Sequence, residues 1–148
     1  MTLNTETLTA ALDELIPPSL DRRLPSAGAL GVGAVVQQAT AATPELEPLL
    51  TQGLAALDEY ARSRDAADFI ALPREARIGA LREVEASAPL FVQTLMTLAC
   101  VGYYSNEQVL AALNGDARPP HPQGYELEPD DLSALATVRA RGKLYREC

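Results

Sequence analysis

The sequence is short of the residues from which metal sites and disulfide frameworks are built. Its 148 residues include one histidine and two cysteines. Cys100, Cys148 and His121 match no metal-ligand spacing, and two cysteines make no disulfide framework. We interpret Cys100, which lies in an apolar run, as a small buried hydrophobe and Cys148 as a free thiol. No apolar run approaches the ~20 residues that a membrane span requires, so we expect none.

Basic residues are also scarce over most of the chain. Residues 1–138 carry 19 acidic and 8 basic side chains, whereas 139–148, the basic tail, carries four bases and Glu147. An acidic body excludes sequence-independent nucleic-acid binding, which requires clustered lysine and arginine to displace counterions. We interpret the tail as a solvated terminus, with contact to a phosphate or an acidic partner as the alternative.

Motifs for the common catalytic mechanisms are absent. There is no Gly-x-Ser-x-Gly elbow, and "GALGVG" at 28–33 lacks both a preceding strand and a phosphate-loop lysine. Ser105 and Gln108 have capping-box spacing, which gives the serine a structural role. Asp58 and Glu59 are adjacent on a helix and diverge, so they cannot form an acid–base pair. We therefore expect no catalytic, cofactor-binding or metal-binding residue in this chain.

Apolar residues at helical spacing dominate the rest of the sequence. We predict a first helix that ends at Pro17-Pro18, a second that spans 27–42 and a third that begins at Thr43-Pro44. A fourth begins at Pro73 and a fifth at Pro89. A short last helix is capped by Asp130-Asp131. The predicted inward residues are Leu8, Leu12, Leu15 and Ile16; Leu30, Val35 and Val36; Leu46, Leu49, Leu50, Leu54, Leu57 and Tyr60; Phe69, Ile70 and Leu72; and Ile78, Leu81 and Val84. The fifth helix is nearly all apolar, which predicts burial on every side. With 47% apolar residues and no strand-like alternation, residues 1–148 predict a single all-α, bundle-like domain of five to seven helices with a long Pro-rich C-terminal loop.

The stretch "GYYSNEQVLAALNGDARPPHPQGYELEPDD", residues 102–131, concentrates tyrosine, proline and the histidine. We predict a short helix that ends at Asn114-Gly115, followed by an extended Pro-rich strap over 118–129. Tyrosines beside prolines offer rigid amphipathic contact area, which favours a partner interface. Its predicted residues are Tyr103, Tyr104, Arg118, Pro119, Pro120, His121 and Tyr125. The alternatives are that the first two tyrosines only close the end of the buried helix and that the histidine is an exposed loop residue.

An export signal is a further possibility, because Arg22-Arg23 precedes a weakly apolar stretch and Ala39-Thr40-Ala41 resembles a cleavage site. The arginine pair lies more than twenty residues into the chain, behind an acidic amphipathic segment, and Pro25 and three glycines dilute the apolar stretch. We interpret the segment as folded structure and expect a cytoplasmic protein, with export to the periplasm alongside a partner as the alternative.

The order of four segments resembles the small subunit, called subunit 3 or gamma, of the gluconate 2-dehydrogenase family. These segments are "LTAALDELIPPSL", "PSAGALGVGAVV", "LLTQGLAALDEYARSRDAADFIALPREARIGALREVE" and the 102–131 stretch with its Gly-x-Tyr-Ser signature. The resemblance implies an all-α accessory subunit without a redox cofactor. It would accompany a large FAD-dependent subunit of the glucose-methanol-choline type that oxidises sugars or polyols, together with a cytochrome or other electron-acceptor subunit. It supplies no catalytic residue.

Two other functions stay open at this point. One is a free-standing enzyme that uses His121 with a nearby carboxylate or tyrosine. The other is a small-molecule-binding helical domain, which requires a closed apolar pocket.

Overall fold

The computed structural model describes residues 3–115 and 132–142, and all regular structure within these ranges is helical. The elements are α1 (Thr5–Leu15), α2 (Gly33–Ala42), α3 (Leu46–Arg62), α4 (Arg74–Ser87), α5 (Pro89–Tyr104), α6 (Glu107–Asn114), a 3₁₀ turn (Leu132–Leu135) and α7 (Ala136–Ala140). The predicted all-α fold is confirmed. Within the described ranges, no helix has both the length and the apolar character needed to cross a bilayer.

Helix α5 is the centre of the bundle, because it contacts α1, α2, α3, α4 and α6. Its inward side consists of Phe91, Val92, Leu95, Ala99 and Tyr103, all buried. The prediction that α5 is buried on every side is wrong. Leu90, Val101 and Tyr104, on the side away from the buried residues, are exposed.

Two helix starts differ from the sequence prediction. The backbone of Gly31 has a φ of +73°, which ends the first turns after residue 27, so α2 begins at Gly33. Thr43 ends α2, where its N–H donates to the carbonyl of Ala39, and its side chain does not cap α3.

The predicted capping box at Ser105 is also wrong. Ser105 ends α5, and the side chain of Asn106 caps α6 by accepting a hydrogen bond from the Gln108 N–H at 2.9 Å. The predicted end of α6 is confirmed, since Gly115 adopts the left-handed conformation with a φ of +73°.

Most of the predicted inward residues lie in one core. Phe69 and Leu72, between α3 and α4, are buried as predicted, but the side chain of Ile70 is 38% exposed. Several others are only half-buried at the edge of the core: Leu15, Ile16, Leu30, Val35, Leu46, Leu49, Tyr60 and Ile78. The core therefore follows the predicted stripes but is narrower than they suggest.

Two glycines set how closely helices approach α5. A Cβ on Gly53 of α3 would overlap the ring of Phe91, and a Cβ on Gly102 would lie 2.8 Å from the Cγ1 of Val32. Both overlaps involve core side chains that are buried. Glycine at these positions therefore permits the packing of α5 against α3 and against the start of α2.

Asp58 joins three parts of the chain. Its Oδ1 accepts hydrogen bonds from the hydroxyl of Thr7 in α1 and from the N–H of Phe69, each at 3.1 Å. Its Oδ2 faces the amide of Asn4, the residue that caps α1, at 3.4 Å. The carboxylate thus fixes α1 and the segment before α4 against α3.

Replacing Asp58 by alanine is expected to lower the free energy of unfolding by about 2 kcal/mol, because the Thr7 hydroxyl and the Phe69 N–H lose their acceptor. Glu59, adjacent and exposed, provides the control, and Glu59→Ala is expected to change stability by less than about 0.5 kcal/mol. Urea unfolding followed by circular dichroism measures both. Equal effects of the two substitutions would show that the Asp58 contacts do not stabilise the fold.

Candidate partner-binding surface

The two predicted interface tyrosines that the structure describes have different environments. Tyr103 is only 2% exposed, and its hydroxyl donates to the carbonyl of Pro25 at 2.8 Å. Burial, with a smaller contribution from the neighbouring Tyr104, raises the pKa of the Tyr103 phenol. Tyr103 therefore fixes the end of α5 to the segment before α2 and offers almost no surface to a partner.

Tyr104 is the exposed member of the pair. Its ring packs edge-on against that of Tyr103, with centroids 5.2 Å apart and an interplanar angle of 78°. The other predicted interface residues lie outside the described residues, as does the strap over 118–129: Arg118, Pro119, Pro120, His121 and Tyr125. The predicted interface is untested there, as is a catalytic role for His121.

Tyr104 belongs to a longer surface along α5, of which the sequence interpretation predicted no other residue. We call it the outer face, and it consists of Leu90, Gln93, Met96, Thr97, Val101 and Tyr104. The side chains of Leu90, Val101 and Tyr104 are 62%, 56% and 54% exposed, respectively. These three and Thr97 follow one another at i, i+7, i+11 and i+14, so they share one side of the helix. The outer face is thus a largely apolar side of α5 that the other described helices leave exposed.

A weak signal in the sequence marks this face. Gln93 and Thr97 are polar residues four positions apart in an otherwise apolar helix, and the Thr97 hydroxyl donates back to the Gln93 carbonyl at 2.8 Å. Polar residues at i and i+4 indicate the solvent side of a helix. The many apolar residues of α5 make this pattern easy to overlook in the sequence.

Two of the three acids of α1, Asp13 and Glu14, have structural partners. Asp13 Oδ1 accepts from the N–H of Gly28 at 2.8 Å, and Glu14 forms ion pairs with Arg77 at 2.7 Å and Arg74 at 3.2 Å. A Cβ on Gly28 would overlap the Asp13 carboxylate, so this contact requires glycine. These acids therefore stabilise the packing of α1.

No group of three histidine, cysteine, aspartate or glutamate side chains that could hold a metal ion occurs in the part of the chain that the structure describes. The groove between α1, the residues that follow it and α4 has a volume of about 690 Å³. It is open to solvent and mixes charged residues, Arg74 and Arg77 among them, with prolines and Leu20. This groove differs from the closed apolar pocket that a small-molecule-binding domain requires.

The Arg22-Arg23 pair lies in a hydrogen-bonded loop, as its interpretation as folded structure requires. The Ser19 N–H donates to the Leu24 carbonyl at 2.9 Å, and the Arg23 guanidinium donates to the carbonyl of Ala112 in α6 at 3.2 Å. Hydrogen bonds from the Ser19 hydroxyl and from the Arg23 N–H hold the pKa of the Asp21 carboxyl below its usual value. The pair is thus part of the folded domain.

The described C-terminal residues form a second apolar surface. Leu132, Leu135 and Val138 recur at i, i+3 and i+6, and all three are exposed. The predicted last helix is present as the 3₁₀ turn and α7, which contact each other but no other described element. Its predicted cap, Asp130-Asp131, lies outside the described residues.

An all-α domain whose central helix exposes an apolar face has the features of a subunit of a larger assembly. The model of the family described as gluconate 2-dehydrogenase subunit 3 matches residues 3–115, and the chain belongs to this family. The resemblance found in the sequence is thereby confirmed. No curated protein and no solved structure gives a significant match.

The family match has two consequences. Membership of a dehydrogenase subunit family is consistent with an accessory subunit of a multi-subunit dehydrogenase complex. The match ends at Gly115, so it includes the outer face of α5 and excludes the strap over 118–129. The part of the 102–131 stretch that the family match supports is therefore its helical first half.

Proposed function

We propose that this chain is the non-catalytic small subunit of a flavin-dependent sugar or polyol dehydrogenase. In this proposal it stabilises or matures the large subunit, which is of the glucose-methanol-choline type and holds the FAD. A cytochrome or other electron-acceptor subunit completes the complex. The observation that carries the proposal is the family match over residues 3–115.

The contacts of the acidic residues support a non-catalytic role. Asp13, Glu14 and Asp58 each hold two parts of the chain together through hydrogen bonds or ion pairs. These contacts give each of the three carboxylates a structural role. In the proposal, substrate oxidation therefore belongs to the flavin-dependent partner.

The proposed location is the cytoplasm. A secretory signal is a processing segment that is removed, not a part of the mature fold. Arg22 instead closes a turn, in which its N–H donates to the Ser19 carbonyl at 2.9 Å, and Arg23 follows that turn. Export of the assembled complex to the periplasm is the alternative.

Co-expression tests the proposed function. The large flavin-dependent subunit from the same organism is produced with this chain and, as the matched control, with the same gene carrying an early stop codon. We expect the intact chain to raise soluble flavoprotein, bound FAD per polypeptide and sugar- or polyol-dependent dye reduction severalfold. Equal solubility, FAD content and activity in the two preparations would contradict the proposed function.

A further inference from the structure

The outer face lies on a helix without charge, and one of the helices packed against α5 has none either. Neither α5 nor α2, which packs against it, contains an acidic or basic residue, although 22% of the chain is charged. The outward positions of α2 are alanine and glutamine: Ala34, Gln37, Gln38, Ala41 and Ala42. Depletion of charged residues is the compositional mark of the buried centre of a protein–protein interface.

The outer face also has the residue types that interface centres favour. Tyr104 and Met96 belong to the types enriched there, and Leu90 and Val101 add aliphatic surface at either end of the helix. Helix α5 has 16 residues, so the face extends over about 24 Å at 1.5 Å per residue. The residue types that interface centres favour therefore recur along the whole helix.

We infer that the outer face of α5 is the surface on which the large dehydrogenase subunit docks, through an apolar patch with a basic rim. This inference rests on the proposed function and assigns the contact to a particular helix. It keeps Tyr104 of the predicted interface and leaves out Tyr103, which is buried.

The net negative charge of the chain favours the large subunit over a second copy of the chain as the partner at the outer face. Residues 3–115 hold 14 acidic and 7 basic side chains. Three exposed acids lie close to the ends of α5 in the sequence, Glu83 and Glu85 before it and Glu107 after it, with Arg82 as the exposed base among them. Two copies docked through this face would bring net negative bodies together, which costs free energy. A partner with lysine and arginine around an apolar patch complements the same arrangement.

The test compares charged substitutions at exposed leucines and valines. Leu90→Glu and Val101→Glu introduce a carboxylate on the outer face, and Leu20→Glu makes the matched change at an exposed residue between α1 and α2. The full-length chain and its variants are titrated against the purified, FAD-loaded large subunit by calorimetry. We expect the two outer-face variants to bind at least tenfold more weakly, Tyr104→Ala about thirtyfold more weakly, and Leu20→Glu to bind like the unaltered chain.

Each outcome separates the inference from the proposed function. Failure of the unaltered chain to bind the large subunit would overturn both. Tight binding by the unaltered chain and by the outer-face variants alike would overturn the inference alone, as would an equal loss of binding in Leu20→Glu.

Thermal melting and sedimentation of the free chain test whether the chain itself or a second copy covers the outer face. We expect unchanged melting temperatures for the variants and a monomer for the unaltered chain. A lower melting temperature of Val101→Glu, with binding retained, would show that the chain covers this face itself. A dimer that Leu90→Glu dissociates would show that a second copy does. Either result would overturn the inference.

Discussion

Replacing Arg77 by alanine is expected to lower the free energy of unfolding by about 3 kcal/mol. Arg77 holds the carboxylate of Glu14, whose side chain is only 3% exposed, through its Nη2 at 2.7 Å and its Nε at 2.8 Å. Without the Arg77 guanidinium, the buried Glu14 carboxylate loses its better partner. The free-energy cost of taking this carboxylate out of water is then no longer offset. The same pair joins α1 to α4, so the loss falls on the packing of the bundle.

Arg74 provides an internal control at the same carboxylate. Its Nε lies 3.2 Å from Glu14 Oε2, but its side chain is 58% exposed, against 24% for Arg77. Arg74→Ala is therefore expected to cost less than about 1 kcal/mol, as for an ordinary solvent-screened ion pair. Urea unfolding of both variants at neutral pH measures the difference. Equal losses would show that burial does not determine the strength of this ion pair.

Replacing Gly53 by alanine is expected to destabilise the protein by about 2 kcal/mol, although alanine is the better helix former by about 1 kcal/mol. Gly53 lies in the middle of α3, where a Cβ would overlap the ring of Phe91. Both Gly53 and Phe91 are buried, so the ring has little free space into which to move. Relief of the overlap requires α3 and α5 to separate, which loosens the centre of the core.

Gly79→Ala is the matched control for this substitution. Gly79 is an interior residue of α4, and its nearest contact would be the hydroxyl of Tyr60 at 3.3 Å, the end of a side chain that can shift. We expect Gly79→Ala to be neutral or to stabilise by up to about 1 kcal/mol. Thermal and urea unfolding give both values. Stabilisation by Gly53→Ala would contradict the close approach of α3 and α5.

The sequence predicts the helices well where a single residue type has one physical consequence. Pro73 and Pro89 cannot continue a helix from the preceding residues, and Gly115 adopts the left-handed conformation that most residues avoid. Hydroxyl residues between two helices are ambiguous, because the same side chain can end one helix or cap the next. Thr43 and Ser105 both end the preceding helix, which local sequence does not reveal.

The roles of adjacent acids could not be predicted from their local pattern. Asp58 and Glu59 look alike in the sequence, but only Asp58 faces the Thr7 hydroxyl, 51 residues away, and the N–H of Phe69. Such contacts depend on how α1 and α3 pack. The helical period of apolar residues carries no information about contacts between residues so far apart in the sequence.

The candidate surface shows the same limit. Apolar composition predicts that α5 is central, and it is, but composition does not reveal how many neighbours surround it. The bundle covers the side with Phe91 and Leu95 and leaves the side with Leu90 and Val101 open. The sequence interpretation places Tyr103 and Tyr104 in one partner interface, whereas a rotation of 100° per residue puts them on different sides of the helix.

The mass of the co-expressed assembly tests the proposal that this chain is a subunit of a flavin-dependent dehydrogenase. The two proteins are purified through a tag on the large subunit, and the product is passed through size-exclusion chromatography with light scattering. We expect one FAD-containing species that includes the 15.8 kDa chain in a fixed ratio to the large subunit. Elution of the large subunit alone, fully loaded with FAD and active, would contradict it.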